Sequence, residues 1–392
     1  MMVRGYIPVP RPTDIVYAPI DLAVAIAEGL ARKGHQIDFF GPLGTQFNSP
    51  RINVRTLNLR PLIHNAQETT ELFHDSSRLT HYVPELWDSY LANDMLRRAR
   101  RGMYDLLHFH HPEVALPFAK HFDGVPIVYT LHDPIFPWYR ELFELFQTPN
   151  QHFVSISNNQ RRDAPDLPYL ANIYNGTDVH RFSFLADPED YLLCVGRIVP
   201  EKGVKEAVQV ARETGHRLLI IGPVYPESRG YFDQYIKPYL NDKILYLGYI
   251  EQHHLPKYYQ KAKALLTPVQ WEEPFGLTTI EAMACGTPVI SLRRGAAAEL
   301  IEDGRSGFIV DSIAEMIKAV RNIDQIKRKD CRQHVQDNFS NEKMIDGYEA
   351  TYRRIMLHTN PVRRLRTRVS GKLQQSLNLT TKAVRSKRKP QT

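Results

Sequence analysis

The sequence predicts an α/β protein built on two doubly wound parallel sheets, and three observations carry that prediction. Short β-branched runs alternate with amphipathic stretches of helical period along most of the chain, the pattern of parallel strands covered by helices. The alternation falls into two series separated by Asn172 to Pro188, a stretch rich in Asn, Gly, Asp and Pro with the composition of a linker. At 392 residues the chain is long enough for two domains, each with a sizeable core.

The first series, residues 1–182, holds a helix from Ile20 to Lys33 that is apolar at Leu22, Ile26 and Leu30 and stopped by Gly34. A strand from His35 to Phe40 follows. The first strand of this series is weak, because Arg4 and Gly5 stand where an apolar run is expected. After a stretch around Trp87 without a clear period come strands at Asp105 to Phe109 and Pro126 to Leu131. The second series, residues 183–340, opens at Tyr191 to Gly196 and repeats at Arg217 to Gly222, Ile244 to Gly248, Ala264 to Pro268, Pro288 to Leu292 and Gly307 to Val310. Asn341 to Leu357 reads as a closing helix within 341–360, and Pro361 marks the break after it.

Composition narrows the function classes. The chain is 43% hydrophobic and 24% charged, ordinary for a globular protein, which excludes collagen-like and wholly disordered readings. No apolar run approaches the ~18 residues of a membrane span and no signal-peptide pattern opens the chain, so a cytoplasmic location is expected. Three cysteines, Cys194, Cys285 and Cys331, without a Cys-x-x-Cys spacing are expected to be buried free thiols. The net charge of +7 lies in the tail: residues 361–392 hold ten Lys or Arg and no acid, leaving 40 basic against 43 acidic residues in the body. A slightly acidic body is a poor nucleic-acid binder. Within the tail Val362, Leu365, Val369, Leu373 and Leu377 recur at near-helical spacing among basic residues. That pattern fits an amphipathic helix on an anionic membrane surface, peripheral to its inner face, and equally fits plain disorder.

In open parallel sheets ligands bind at the carboxyl ends of the strands. At the first of these ends in the second series stands Gly196-Arg197-Ile198-Val199-Pro200-Glu201-Lys202-Gly203, ahead of a helical stretch from Val204 to Glu213. A glycine that admits close backbone approach, a forked guanidinium and a lysine near a helix start make an anion site; a tight turn with two solvated cations is the plainer alternative. Further on, Glu273-Pro274-Phe275-Gly276-Leu277-Thr278 ends a loop and opens a helix running to Gly286. Its first-turn amides have no intrahelical partner and can meet phosphate or sugar oxygens. Glu281 lies about 7.5 Å along that helix, with its side chain leaning back toward the N-terminus, so its carboxylate reaches the same pocket as Glu273. Two fixed acceptors suit the paired hydroxyls of a ribose and of a sugar. His108 and His110 share one strand face and could chelate a metal with His132 or Asp133, but polar lining of a cleft is the stronger reading. With no Asp-x-Asp triplet in the chain, no metal is expected.

The string from Glu273 to Ile290, preceded by Gly196-Arg197-x-x-x-Glu201-Lys202-Gly203, resembles the retaining glycosyltransferases of family 4, which have the GT-B fold. The resemblance runs from about Ile20 to Tyr352. It takes in Ala31-Arg32-Lys33-Gly34-His35, Asp105-Leu106-Leu107-His108-Phe109-His110, Thr130-Leu131-His132-Asp133, Ser155-Ile156-Ser157, Asn175-Gly176-Thr177-Asp178 and Gly304-x-x-Gly307-Phe308. It implies two Rossmann-like domains facing across a cleft, the acceptor side in 1–182, the nucleotide-sugar side in 183–340, and a helix in 341–360 that crosses back to the first domain. It also implies catalytic roles for His132, Glu273, Arg197 and Lys202, and substrate contacts from Gly196, Phe275, Gly276, Leu277, Thr278 and Glu281. Arg197 and Lys202 would clamp a diphosphate, Glu281 would hold a ribose, and Glu273 and His132 would face the donor sugar. A nucleotide-diphosphate sugar is then a co-substrate and no cofactor is expected; the acceptor, a saccharide or a lipid-linked molecule, is not readable. The rival readings are a nucleotide-sugar epimerase on the same fold and a non-catalytic nucleotide-sugar-binding scaffold.

Two departures from the family pattern stand out. Tyr17-Ala18-Pro19-Ile20-Asp21 occupies the place of a Gly-Gly loop, and Arg294-Gly295-Ala296-Ala297-Ala298-Glu299 replaces Gly-Gly-x-x-Glu while keeping Gly295 and Glu299.

Overall fold

The computed structural model describes residues 1–359 apart from 66, 69–71 and 73–77. The basic tail, residues 361–392, lies outside the described residues, so the membrane-helix expectation falls there too.

Among the described residues, six strands build the N-terminal sheet: β1 (Ile37–Phe40), β2 (Ile52–Arg55), β3 (Leu107–Phe109), β4 (Ile127–Thr130), β5 (Gln151–Ser155) and β6 (Tyr169–Asn172). β3 to β6 pair in sequence order and β1 pairs with β2, all parallel. Met2 joins the two groups through single bridges to Phe40 and Phe109, with its N–H donating to the His108 carbonyl at 3.0 Å. The weak first strand is therefore one residue long. Arg4 leaves the ladder because its guanidinium needs partners, which it finds in Asp88 and Glu113, both at 3.0 Å.

The second sheet comprises β7 (Tyr191–Val195), β8 (Arg217–Ile221), β9 (Ile244–Tyr246), β10 (Ala264–Thr267), β11 (Val289–Leu292) and β12 (Gly307–Val310). Its order is β12-β11-β10-β7-β8-β9, and every pairing is parallel. The direction of winding reverses between β7 and β10, which opens a crevice between the loops that follow those two strands. Aliphatic side chains at 0% exposure, among them Leu192, Leu193, Leu218, Ile220, Leu265 and Ile290, fill the space between sheet and helices.

Each expected strand of the second series forms, within a residue or two of its expected ends. The misses cluster in the first series. The unreadable stretch around Trp87 is the helix spanning Arg78–Arg100, whose buried stripe of Leu91, Ala92, Met95, Leu96 and Ala99 begins only beyond Trp87. β2, β5 and β6 are short, with polar residues at one or both ends, so alternation was too brief to mark them; Asn172, read as the start of the linker, closes β6. The helix expected to reach Gly286 ends at Ala284.

The first helix, α1 (Ala18–Arg32), and the last described helix, Asn341–Thr359, lie against each other although they come from opposite ends of the chain. Met344, Ile345, Tyr348 and Tyr352 enter the same core as Ile20, Ile26 and Leu30. Polar contacts fix it further: Lys33 Nζ meets Asp346 at 2.6 Å and Glu349 at 2.9 Å. A Cβ on Gly29 would overlap the buried Ile345 side chain. The Gly29→Val substitution is therefore expected to lower stability by about 1 to 3 kcal/mol, read as a lower Tm with earlier proteolysis of the last helix. An unchanged Tm would show that this close approach is not needed.

Candidate active site

The crevice beyond β7 and β10 is where the second domain's chemistry-bearing residues gather. The loop after β7 carries Gly196, Arg197 and Lys202, then turns at Gly203 into the helix Val204–Thr214. Gly203 sits at φ 69°, and a Cβ there would collide with the Pro268 carbonyl in the loop after β10. Only glycine lets the two loops touch so closely. Arg197 is exposed toward the cleft, whereas Lys202 is partly buried with Nζ 2.5 Å from Glu273 Oε2. The same carboxylate oxygen accepts from Trp271 Nε1 at 2.7 Å, and the Lys202 ammonium stands 5.3 Å from the centre of the Trp271 ring.

The Glu273 backbone is pinned as well. Ala296 N–H donates to its carbonyl at 3.0 Å, and Gly295, at φ 54°, lies flat on its peptide where a Cβ would clash. That is the physical reason Gly295 survives in the departing Arg294 to Glu299 segment. Glu299 has its own task, crossing to the first domain to accept from the Asn158 and Asn159 N–H groups at 2.7 and 2.8 Å and from the Tyr174 hydroxyl at 3.0 Å.

The helix Leu277–Ala284 starts at Gly276, whose φ of 111° turns the chain into it. Phe275, Gly276, Leu277 and Thr278 line the cleft, so the first-turn N–H groups open onto it. Glu281 is buried farther in. It accepts from the Tyr259 hydroxyl at 2.9 Å and from Gln252 Nε2 at 3.4 Å. Burial pushes its carboxyl up to about 7 against the opposing pull of those two donors. Gln252 also accepts from Arg11 Nη2 of the first domain at 3.1 Å, so the network around Glu281 spans the cleft.

His132 stands on the opposite wall, beyond β4. Burial, then the nearby His111, hold its imidazole down to about 3, so it is neutral at physiological pH. Its Nε2 meets His110 Nδ1 at 2.9 Å, leaving Nδ1 as its uncommitted ring nitrogen. His108 packs beside His110 at 4.2 Å between ring centres, confirming the shared strand face. Its nitrogens face hydroxyls instead of a vacant coordination shell: Thr130 Oγ1 at 2.8 Å and Tyr352 OH at 2.6 Å. Among the described residues no group of three or more His, Cys, Asp or Glu is placed to hold a metal ion. Where a Gly-Gly loop was expected, the Tyr17 hydroxyl turns to His111 Nε2 and Arg4 Nε, which adds a side chain to the cleft wall. Cys194, Cys285 and Cys331 are buried and free, with thiols pushed up to about 12 by burial, too high for nucleophilic use.

His132, Gly196, Arg197, Lys202, Glu273, Phe275, Gly276, Leu277, Thr278 and Glu281 all line one cleft of about 420 Å³ between the two domains. Sequence reasoning missed Trp271, Gln252, Tyr259 and Arg11. Trp271 was within reach, two residues before Glu273, but the other three are brought in from distant segments and carry no local signal.

The folded protein holds the Glu281 proton more tightly than the unfolded chain, so ionising it costs stability. As pH rises from 4.5, the ordinary value, to about 7, the ligand-free protein should lose on the order of 3 kcal/mol through this group and not regain it above. Glu281→Gln should flatten that part of the Tm-versus-pH curve; identical curves for the two proteins would disprove the assignment.

Comparison with known proteins agrees with this geometry. The family model described as Glycosyltransferase Family 4 matches residues 22–181, and the one described as Glycosyl transferases group 1 matches residues 177–342. The N-acetyl-alpha-D-glucosaminyl L-malate synthase of Bacillus anthracis is 24% identical over 366 residues, which is 83% of this chain and 91% of that protein. Among solved structures, the sucrose-phosphate synthase of Thermosynechococcus elongatus superposes with a TM-score of 0.71 at 19% identity, covering 91% of this chain and 99% of that one. Anabaena HepE in complex with UDP-glucose does so with a TM-score of 0.64 at 16% identity, covering 89% and 98%. The two family models overlap at residues 177–181 and together span 22–342, and the superpositions reproduce the two-sheet architecture: the chain belongs to family 4 of the glycosyltransferases and has their GT-B fold.

Proposed function

We propose that the protein transfers a hexose-type sugar from a nucleotide diphosphate to an acceptor with retention of anomeric configuration. The observation that carries this reading is the polarity of the cleft. Arg197 and the first-turn amides of Leu277–Ala284 form an electropositive end beside the Lys202–Glu273 ion pair, while the Glu281 carboxylate, deeper in, accepts hydrogen bonds from Tyr259 and Gln252. A nucleoside diphosphate has the complementary layout, an anionic diphosphate next to a ribose with two hydroxyl donors. That Anabaena HepE was solved with UDP-glucose supports a nucleotide-linked hexose as donor.

In this reading Arg197 and Lys202 hold the diphosphate and Glu281 takes the ribose hydroxyls. Glu273 and the backbone from Phe275 to Leu277 contact the donor sugar, and the neutral His132 faces it from the first domain. As the bond from the anomeric carbon to the diphosphate breaks, negative charge grows on the phosphate oxygen that Arg197 and Lys202 face. The acceptor oxygen bonds on the same side, and its proton passes to that phosphate oxygen. The protein's part is positioning and electrostatic stabilisation. Trp271 braces Glu273 and Lys202 together, so the sugar-facing carboxylate and the diphosphate-facing cation are set by one cluster.

Arg197→Ala should weaken nucleoside diphosphate binding by roughly 1.5 to 3 kcal/mol, the loss of a charge-assisted bond, while leaving uncharged nucleoside affinity about equal; Lys202→Ala should cost the diphosphate at least as much, because it also breaks the ion pair to Glu273. Calorimetry with both ligands separates the cases, and an equal loss for both would reject the diphosphate role. The tail reading has its own test: the full chain should sediment with anionic vesicles, and a chain ending at Asn360 should not. Equal sedimentation would remove the tail as a membrane device.

A further inference from the structure

The donor cleft does not end at Trp271. Past this residue and Pro134, which line both spaces, it opens into a wider groove of about 670 Å³ between the two domains. One wall is the helix Pro137–Phe146 with its lead-in, and the other is Trp271 and Glu272 of the second domain. We propose that this groove is the acceptor subsite and that it takes an extended uncharged or amino-bearing saccharide, with two or more sugar rings lying along it. The proposal rests on the donor assignment above for its direction, since an acceptor whose hydroxyl reaches the sugar beside Glu273 and His132 must leave the cleft by an adjoining opening.

Two features select the ligand class. The first is aromatic: Phe136 is 40% exposed and Trp138 62% exposed, and they stack on each other at 4.7 Å with 11° between the ring planes. Large rings left in water beside a groove are costly unless something covers them, and the apolar C–H face of a sugar is the natural cover. With Trp271 at the inner end, the groove has an aromatic platform at its junction with the donor and another at its wall. The second feature is charge. Glu141, Glu144, Asp163 and Glu272 line the groove against a single lining cation, Arg140, which is already engaged by Glu144 at 2.8 Å and by Asp166 at 3.3 Å. Arg162 and Arg294 each stand 3.7 Å from Glu272, and Arg162 Nη1 donates to Asn159 Oδ1 at 3.0 Å. Carboxylates accept hydrogen bonds from sugar hydroxyls and attract amino groups, but they repel phosphate, sulfate and carboxylate. A lipid-linked pyrophosphate acceptor would place its charges against this wall, so the groove favours the saccharide over the lipid-linked alternative.

Trp271 lines the groove and Trp138 stacks on its lining residue Phe136, so intrinsic fluorescence reads its occupancy. The full chain, saturated with a nucleoside diphosphate, is titrated with chitotetraose, maltotetraose, the glucosamine tetramer and a sulfated tetrasaccharide. At least one uncharged or amino tetrasaccharide should change the emission at concentrations where the sulfated one does not. Phe136→Ala, at an exposed position where folding is not at stake, should weaken that binding by about tenfold. Glu141→Lys should shift preference toward the sulfated tetrasaccharide. Nucleoside diphosphate affinity, measured separately, should stay the same in both variants; a failure there would indict the donor assignment and not the groove. The proposal is overturned if no tetrasaccharide alters the emission, if the sulfated one binds best, or if Phe136→Ala leaves binding intact.

Discussion

The ion pair between Lys202 and Glu273 is the constraint on which the site depends. At 2.5 Å it ties the loop after β7 to the loop after β10, at the point where the winding of the sheet reverses. A crevice between two such loops tends to gape, because each loop is anchored only at its own strand. Here the pair, the Trp271 indole that shares Glu273 Oε2, and the contact between Gly203 and the Pro268 carbonyl close the crevice into one wall. Both charges are only partly exposed, so the attraction is less screened than on open surface. Preorganisation of this kind lets a transferase stabilise developing phosphate charge without rebuilding its site at each turnover.

The second domain's wall is useful only if the first domain meets it in register, and three connections impose that. The Glu299 carboxylate holds the Asn158 and Asn159 N–H groups, the Arg11 to Gln252 to Glu281 chain runs across the cleft, and the helix Asn341–Thr359 packs on α1. Tyr348 and Tyr352 on that helix reach Thr130 and His108, each two residues before a member of the His110 and His132 pair. The neutral His132 is thus bonded to His110, whose ring packs on His108, and His108 in turn is held by a buried polar network whose far end is a helix from the other end of the chain.

How much of this the sequence disclosed follows from how local each feature is. Strands of the second domain were legible because each is an apolar run, buried on both faces in β7, β10 and β11, with glycine or proline beside it. The residues of the candidate site were legible for the same reason, since Arg197 to Lys202 and Glu273 to Glu281 are short segments fixed by turn and helix geometry. β2, β5 and β6 were not, because strands of four or five residues with polar ends give too brief a period. Tyr259, Gln252 and Arg11 were hidden in principle: their relation to Glu281 exists only once distant segments are folded together. The departure at Tyr17 was visible as a missing glycine pair, while what replaced it, a hydroxyl turned to His111 and Arg4, was not.

The most direct test of the account is a crystal structure of the full chain with a nucleoside diphosphate chosen by a thermal-shift screen. The account predicts the diphosphate against Arg197, Lys202 and the first-turn amides of the helix Leu277–Ala284, with both ribose hydroxyls on Glu281. A nucleotide bound with its diphosphate away from Arg197 and Lys202, or with Glu281 still committed to Tyr259 and Gln252 alone, would contradict it.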